Sequence, residues 1–315
     1  MPFLARLWRT APLLVVTGGL LAVLILPFGV GLLVDPRVIT GAPAWLKPTK
    51  FAVSIAIYSV TMAWFFTFIP EWIRTRRLIG WATAFAMVVE MAIIGSQAYR
   101  GTTSHFNRAT PYDAALFGIM GLVIVTQTLA SISIAVALWR QRFADNSLGW
   151  ALRLGMALTI VGAMTGGMMA RPTATQIAGA KAGQQMTVAG AHTIGGPDGG
   201  PGMAGTGWSR EHGDLRIAHF VGLHAMQALP FFALVLSRRK LSSQARTQLV
   251  VIAGTSYAAL YVILVIEALR GIPLMAPDAT TILQLGIWAT ATVTAAAVTV
   301  LDSAQAARSR SFEVA

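Results

Sequence analysis

Cysteine is missing from the whole chain of 315 residues, and that absence removes disulfides, thiolate metal sites and a cysteine nucleophile from consideration. Charge is nearly as scarce. Only 11% of residues are Asp, Glu, Lys or Arg, against about 25% in soluble domains, while 55% are hydrophobic and the mean hydropathy is +0.65. So few charges cannot cover a water-facing surface of a chain this long, so its solvent is largely lipid. Acidic residues number 12 against 24 basic ones. The arginines sit between apolar runs, where membrane orientation accounts for them, and no nucleic-acid partner is expected. A Gly-x-Ser-x-Gly motif is also missing, as is a defensible Ser-His-Asp arrangement. No internal repeat is visible, which withholds support from an inverted-repeat transporter.

What the chain does contain is long apolar runs. A membrane-crossing helix needs roughly 20 mostly apolar residues. Eight such runs occur, at about 11–34, 50–69, 78–99, 112–139, 148–170, 214–236, 247–270 and 280–302. The first follows Arg6 and Arg9 as a signal peptide would, but it is longer than an h-region and is read as a retained helix. The fold class expected is all-α: a single polytopic helix bundle over residues 1–315, with the lipid bilayer as its main partner.

The connections alternate in charge. Arg6 and Arg9; Arg74, Arg76 and Arg77; Arg140 and Arg142; Arg238, Arg239, Lys240 and Arg246; and Arg308 and Arg310 fall on one side. The opposite loops, about 35–49, 100–111, 171–213 and 271–279, are longer and hold Asp35, Asp198, Glu211 and Asp278. The positive-inside rule then predicts an inner (plasma) membrane protein with both termini cytoplasmic. The 171–213 loop is rich in glycine, and loops of that length are commonly functional or disordered. It is a candidate lid over an outward-facing cavity.

Ionisable residues inside spans are costly and mark functional sites by default. Glu90 lies near the middle of the third span and shares a face with Thr83 and Gln97, spaced by seven. The sixth span carries Arg216, His219, His224 and Gln227 on one sector, with Asp214 as its N-cap. Lys50, Ser54, Tyr58 and Thr61 line one face of the second span; Asp113, Met120 and Gln127 line the fourth. Gly155, Gly162 and Gly166 suit close helix contact in the fifth. Glu267 and Arg270 are three apart and able to pair. All five histidines (His105, His192, His212, His219 and His224) fall on the outer half.

These residues predict an outward-opening polar cavity that binds a metal ion, haem or other redox cofactor, or a small polar ligand. His219, His224, Glu90, Gln97, Gln227, Lys50 and Arg216 would line it. His219, His224 and His105 are the candidate metal ligands. Met164, Met168 and Met169 are further soft donors in reach of such a site. The first alternative is a proton-coupled carrier of a small solute, with Glu90 as proton station and Lys50, Arg100, Arg216 and Arg270 attracting anions at the mouth. The second is an intramembrane hydrolase. The five residues Phe220 to His224 are similar to the Phe-x-x-x-His element of the CAAX prenyl protease family, which implies a metal-dependent protease site. That family also needs a glutamate pair followed by arginine; here Glu90 is single and Met91 follows it.

Overall fold

The computed structural model describes residues 2–313, with side chains through residue 306. A short helix α1 (Phe3–Thr10) leads into α2 (Pro12–Val34), a two-residue hairpin β1 (Val38–Ile39) and β2 (Ala42–Pro43), α3 (Leu46–Phe66), α4 (Ile73–Tyr99) and α5 (Pro111–Arg140). Then come α6 (Asn146–Met169), the small helix α7 (Ala174–Lys181), paired strands β3 (Thr193–Ile194) and β4 (Gly213–Asp214), α8 (Leu215–Leu223), α9 (Ala225–Ser237), α10 (Ser243–Leu269) and α11 (Ala279–Glu313). Among the described residues seven helices are long and apolar enough to cross a membrane, and the α8–α9 pair makes an eighth crossing if counted as one bent span. The chain is thus a helix bundle of the multi-pass membrane type. Its outward faces carry Trp81, Phe85, Leu122 and Val125, all more than half exposed, which suits a hydrocarbon solvent.

Helix ends are fixed by local chemistry. Thr110 caps α5 by accepting from the Asp113 N–H, Asp145 caps α6 and Ser242 caps α10. At the far ends of α4 and α10, Gly101 and Gly271 take φ of 73° and 75°, a conformation that glycine adopts without a Cβ clash. The Thr102 and Ile272 N–H groups then reach back to the Gln97 and Glu267 carbonyls, while Gly101 and Gly271 donate to Ala98 and Ala268. Both are Schellman closures.

That likeness extends well beyond the caps, and it corrects the expectation that the chain holds no repeat. Helix α10 repeats α4 with each boundary 170 positions on, 73 to 243 and 99 to 269. From Met91 to Arg100 and from Tyr261 to Arg270, nine of ten positions share the same burial state. At the same offset, buried Pro48, Ala52, Ile55, Ser59, Ala63 and Phe66 of α3 fall on buried Ala218, Gly222, Ala225, Leu229, Ala233 and Leu236 of α8–α9. Packing follows suit: α2 lies on α3 and α4, and α4 on α5, while α6 lies on α8, α9 and α10, and α10 on α11. Two four-helix units of the same order, α2–α5 and α6–α11, therefore make up the bundle, with close helix packing between them at α5–α6. Both units enter from the same side, so the repeat is parallel and not inverted.

The sixth run, expected as one helix, is broken. Helices α8 and α9 meet at His224 with a 46° bend. Pro230 lies six residues further on and offers no N–H to the turn before it. The polar groups exposed by the break are satisfied from neighbouring helices. Thr159 of α6 donates its hydroxyl to the Leu223 carbonyl and accepts from the Met226 N–H (3.3 and 3.2 Å). Tyr257 of α10 donates to the Val221 carbonyl at 2.6 Å. In hydrocarbon each of these groups left unpaired would cost several kcal/mol. Gly162 and Gly222 let the α6 and α8 backbones touch: a Cβ on Gly162 would stand 2.5 Å from a Gly222 backbone carbon.

Two ends of the bundle differ in chemistry. At the end bearing the arginine-rich connections, Met62, Phe65, Phe66, Ile134, Leu138, Leu152, Met156 and Met226 form a fully buried apolar layer that spans both units. At the other end the loops fold into ordered structure. The 171–213 segment contains α7, begun by a Thr173–Gln176 capping box, and β3, which pairs with β4 at the segment's end. Gly41 of the first hairpin lies so close to Gly199 of this segment that a Cβ there would meet its carbonyl oxygen at 2.3 Å.

Candidate functional site

The polar residues of the loop end gather where the two units face each other. From the first unit, α3 contributes Lys47 and Lys50, α4 contributes Glu90, and the loop after α4 contributes His105. From the second, the long loop supplies His192 and Asp198, and α8 supplies Arg216 and His219. The Lys47 ammonium lies 2.9 Å from His105 Nδ1 and within electrostatic range of Glu90, Lys50, Arg216 and Asp198. His105 is likewise in range of His192 and His219, and His219 of His224. Lys47 and His219 are enclosed by protein yet keep accessible surface, and the His192 side chain is 23% accessible.

Two of the imidazoles are held in one orientation. His219 Nδ1 donates to the Gly162 carbonyl at 2.7 Å, directly across the α6–α8 contact. His192 Nδ1 donates to Asp198 Oδ2 at 2.7 Å, with its ring on Phe106 at 4.9 Å. In both, the Nε2 atom is left to face other groups. Asp198 is also held by the His192 N–H, the Thr193 N–H and the Thr193 hydroxyl. Burial works to raise its carboxyl, but the hydrogen bonds from His192 and Thr193 outweigh that and hold it far below the usual carboxylate range. Burial pushes the His105 imidazole well below the ordinary histidine range, and the nearby Lys47, His192 and His219 act in the same direction. Burial also lowers His192, against the opposing pull of Asp198.

Several expected roles are redistributed. Glu90 is buried at 2% exposure, meets Lys47 electrostatically, and leaves Oε1 without a partner in the protein; no direct contact joins it to His219 or His224. Gln97 donates to Asp113 Oδ1 at 2.8 Å and accepts from Arg100, so it ties α4 to α5. Arg100 pairs with Asp113, Arg216 with Asp214 (2.6 and 2.5 Å), and Arg270 with Asp278 instead of Glu267. Lys50 donates to the Thr206 carbonyl and Arg216 to that of Gly207, so both hold the long loop in place. Gln227 of α9 reaches Thr61 of α3 at 3.2 Å across the two units. Asp214 caps α8 through the Arg216 N–H, as expected.

His219, His224 and His105 are not brought to one point. Among the described residues no three His, Asp or Glu side chains stand where one metal ion could bind them. Met164 is 64% exposed on the bundle's surface, and Met169 packs with Phe106 and Leu215. The long loop lies over the polar cluster, held by Lys50 and Arg216, and two shallow hollows lie elsewhere. One is an apolar groove of about 220 Å³ between α2 and α4, and the other a surface hollow of about 480 Å³ beside Arg108 and Gln185.

Lys47 was not named from the sequence, and His192 and Asp198 were noted only among the outer histidines and the acidic residues of the outer loops, without a site role. Lys47 precedes the apolar run of its span, and the His-x5-Asp spacing of the other two lies in a glycine-rich loop without periodicity. Comparison of the chain with protein-family models, with curated proteins and with solved structures finds no match in any of the three.

Proposed function

We propose that this chain is a proton-coupled carrier of a small anion in the inner membrane. Both termini are cytoplasmic, with the arginine-rich connections inside, and the polar cluster faces outward. The observation that carries this reading is the position of the cluster: it sits between two parallel repeated units, where carriers built from repeats hold their substrates. Among the described residues Lys47 has no carboxylate in salt-bridge contact and only His105 as a hydrogen-bond partner, which leaves N–H groups of its Nζ for an anion. Asp198 and Asp214 are committed to local partners. Glu90 lies deeper, beside Lys47, as the group that exchanges a proton when the anion binds or leaves. The apolar layer at the cytoplasmic end supports an outward-facing state, and the 171–213 loop acts as the lid.

The test is proton entry into proteoliposomes that contain a pH-sensitive dye, on addition of inorganic phosphate, sulfate or acetate. One of these anions is expected to drive entry, and Glu90→Gln is expected to abolish it. Wild-type protein inert to all three, or Glu90→Gln with full flux, would overturn the assignment. A second reading, a bound haem or other redox cofactor, draws on the fixed Nδ1 atoms of His192 and His219, which leave two Nε2 atoms as possible ligands. A visible absorption band in purified protein, lost in His219→Ala, would move the assignment there.

A further inference from the structure

Below the loop-end cluster a second set of polar groups continues into the membrane interior. Tyr58 of α3 and Gln127 of α5 share a hydrogen bond of 2.7 Å, and Ser131 lies 3.4 Å from the same phenol. Thr61, one turn on from Tyr58, takes the amide of Gln227, which itself faces the His224 ring at the helix break. With 1.5 Å of rise per residue, Glu90 lies about 13 Å, Gln227 about 19 Å and Gln127 about 24 Å from the loop end of its own span. The polar set is thus spread over most of the membrane's thickness.

These groups do not fully satisfy one another. Glu90 Oε1, Gln127 Oε1, Gln227 Oε1 and Thr83 Oγ1 have almost no accessible surface and no hydrogen-bond partner in the protein. Glu90, Gln127 and Thr83 belong to residues at most 6% exposed. Buried polar groups of this kind are found paired, with ordered water where protein does not suffice. Here the unpaired atoms come from three helices, α4, α5 and α9. The first lies on the face of α4 that also bears Gln97, and the others belong to the cross-helix hydrogen bonds just described. One turn further toward the arginine end the polar residues stop: Met62 and Phe66 follow Thr61, and Ile134 follows Ser131, all within the apolar layer.

We propose that the space between the two units holds a file of ordered water running from the Lys47–His105 pair, past Glu90, to the Tyr58–Gln127–Ser131 group. The file reaches the loop end beneath the 171–213 segment and is closed at its inner end by the Met62–Phe66 layer. It gives Glu90 a path for proton exchange with the loop side, and it places hydrogen-bonding groups ready for protons on the inner side of that carboxyl. This goes beyond the anion site, because the file needs no anion to be bound.

The cysteine-free chain makes the test direct. Single cysteines are introduced by Thr61→Cys, Ser131→Cys and Thr83→Cys along the file, by Met62→Cys in the apolar layer, and by Val125→Cys on the lipid-facing surface. The full-length protein in lipid nanodiscs is treated with silver ion, which is small enough to follow water, and the remaining thiols are counted by alkylation after unfolding. Because only a hydrated, ionised thiol reacts readily, positions 61 and 131 are expected to react about tenfold or more faster than positions 62 and 125. Rates at 61, 83 and 131 no faster than at 62 and 125 would overturn the proposal. If one substitution prevents folding, the remaining two file positions still give the comparison. Failure here leaves the anion site standing, since that site is read by anion-dependent flux and melting, and the reverse also holds.

Discussion

The first and second four-helix units are near copies in architecture and unlike in chemistry. They agree where the fold is decided: the Schellman ends at Gly101 and Gly271, the arginines at 100 and 270 that each pair with an aspartate across the next loop, and the burial pattern of α4 and α10. They differ at the positions that form the site. Glu90 stands where the second unit has Leu260, and Ser54 where it has His224. The unbroken α3 corresponds to the bent α8–α9, and an eleven-residue connection to one of more than forty that carries His192 and Asp198. Shared features are thus those that packing requires, and unshared ones concentrate the ionisable groups in the space between the units.

The largest effect should come from the contact that only the second unit makes so tightly. Gly222→Leu drives a side chain into the Gly162 backbone and is expected to cost about 3 kcal/mol or more, read as a lower melting temperature or as loss of folded protein. The equivalent position of the first unit is Ala52, which already carries a Cβ; Ala52→Gly there should cost only about 1 kcal/mol. If the two substitutions cost the same, the contrast in helix contact fails.

The paired arginines sharpen the comparison at smaller scale. Asp113 is 5% exposed, so Arg100→Met strands a buried carboxylate. A loss of about 2 kcal/mol is expected, below the full cost of a buried pair because Arg100 itself is 39% exposed. Arg270 and Asp278 are each about a third exposed, and Arg270→Met should cost less than about 1 kcal/mol. Equal losses in thermal melts would deny the difference in burial.

The smallest effect is a pH dependence that follows the histidines. His105 and His192 are held below the free histidine range, so the unfolded chain binds more protons than the folded one once pH drops below about 6.5. Stability should therefore fall as pH is lowered from 7 to 5. Asp198, lowered instead of raised, keeps its contribution through this window and loses it only below about pH 4. The loop after α10, the counterpart of the one that bears His105, carries no histidine. His105→Gln should flatten the slope, and an unchanged slope would show that His105 does not set it.

Much of this was legible in the sequence. Hydropathy alone set out the spans, and the histidines do lie at the loop end of the bundle, near the polar cluster described above. The repeat was hidden because burial recurs more than side chains do: beyond a few identities such as Ala98 with Ala268 and Arg100 with Arg270, Met91 answers to Tyr261 and Ile94 to Leu264. The helix break could not be placed from Pro230 alone, since the bend falls at His224, where Thr159 and Tyr257 supply the missing hydrogen bonds. Nor could spacing tell that Lys50 and Arg216 hold loop carbonyls while Lys47 meets His105.

The most direct test of the account is the melting temperature of the protein in lipid nanodiscs as phosphate, sulfate or acetate is titrated. One of these anions should raise it saturably; Lys47→Gln should abolish the rise, and Arg270→Gln should leave it intact. A rise that survives Lys47→Gln in full, or the lack of any anion effect in the wild-type protein, would contradict a ligand site between the two units.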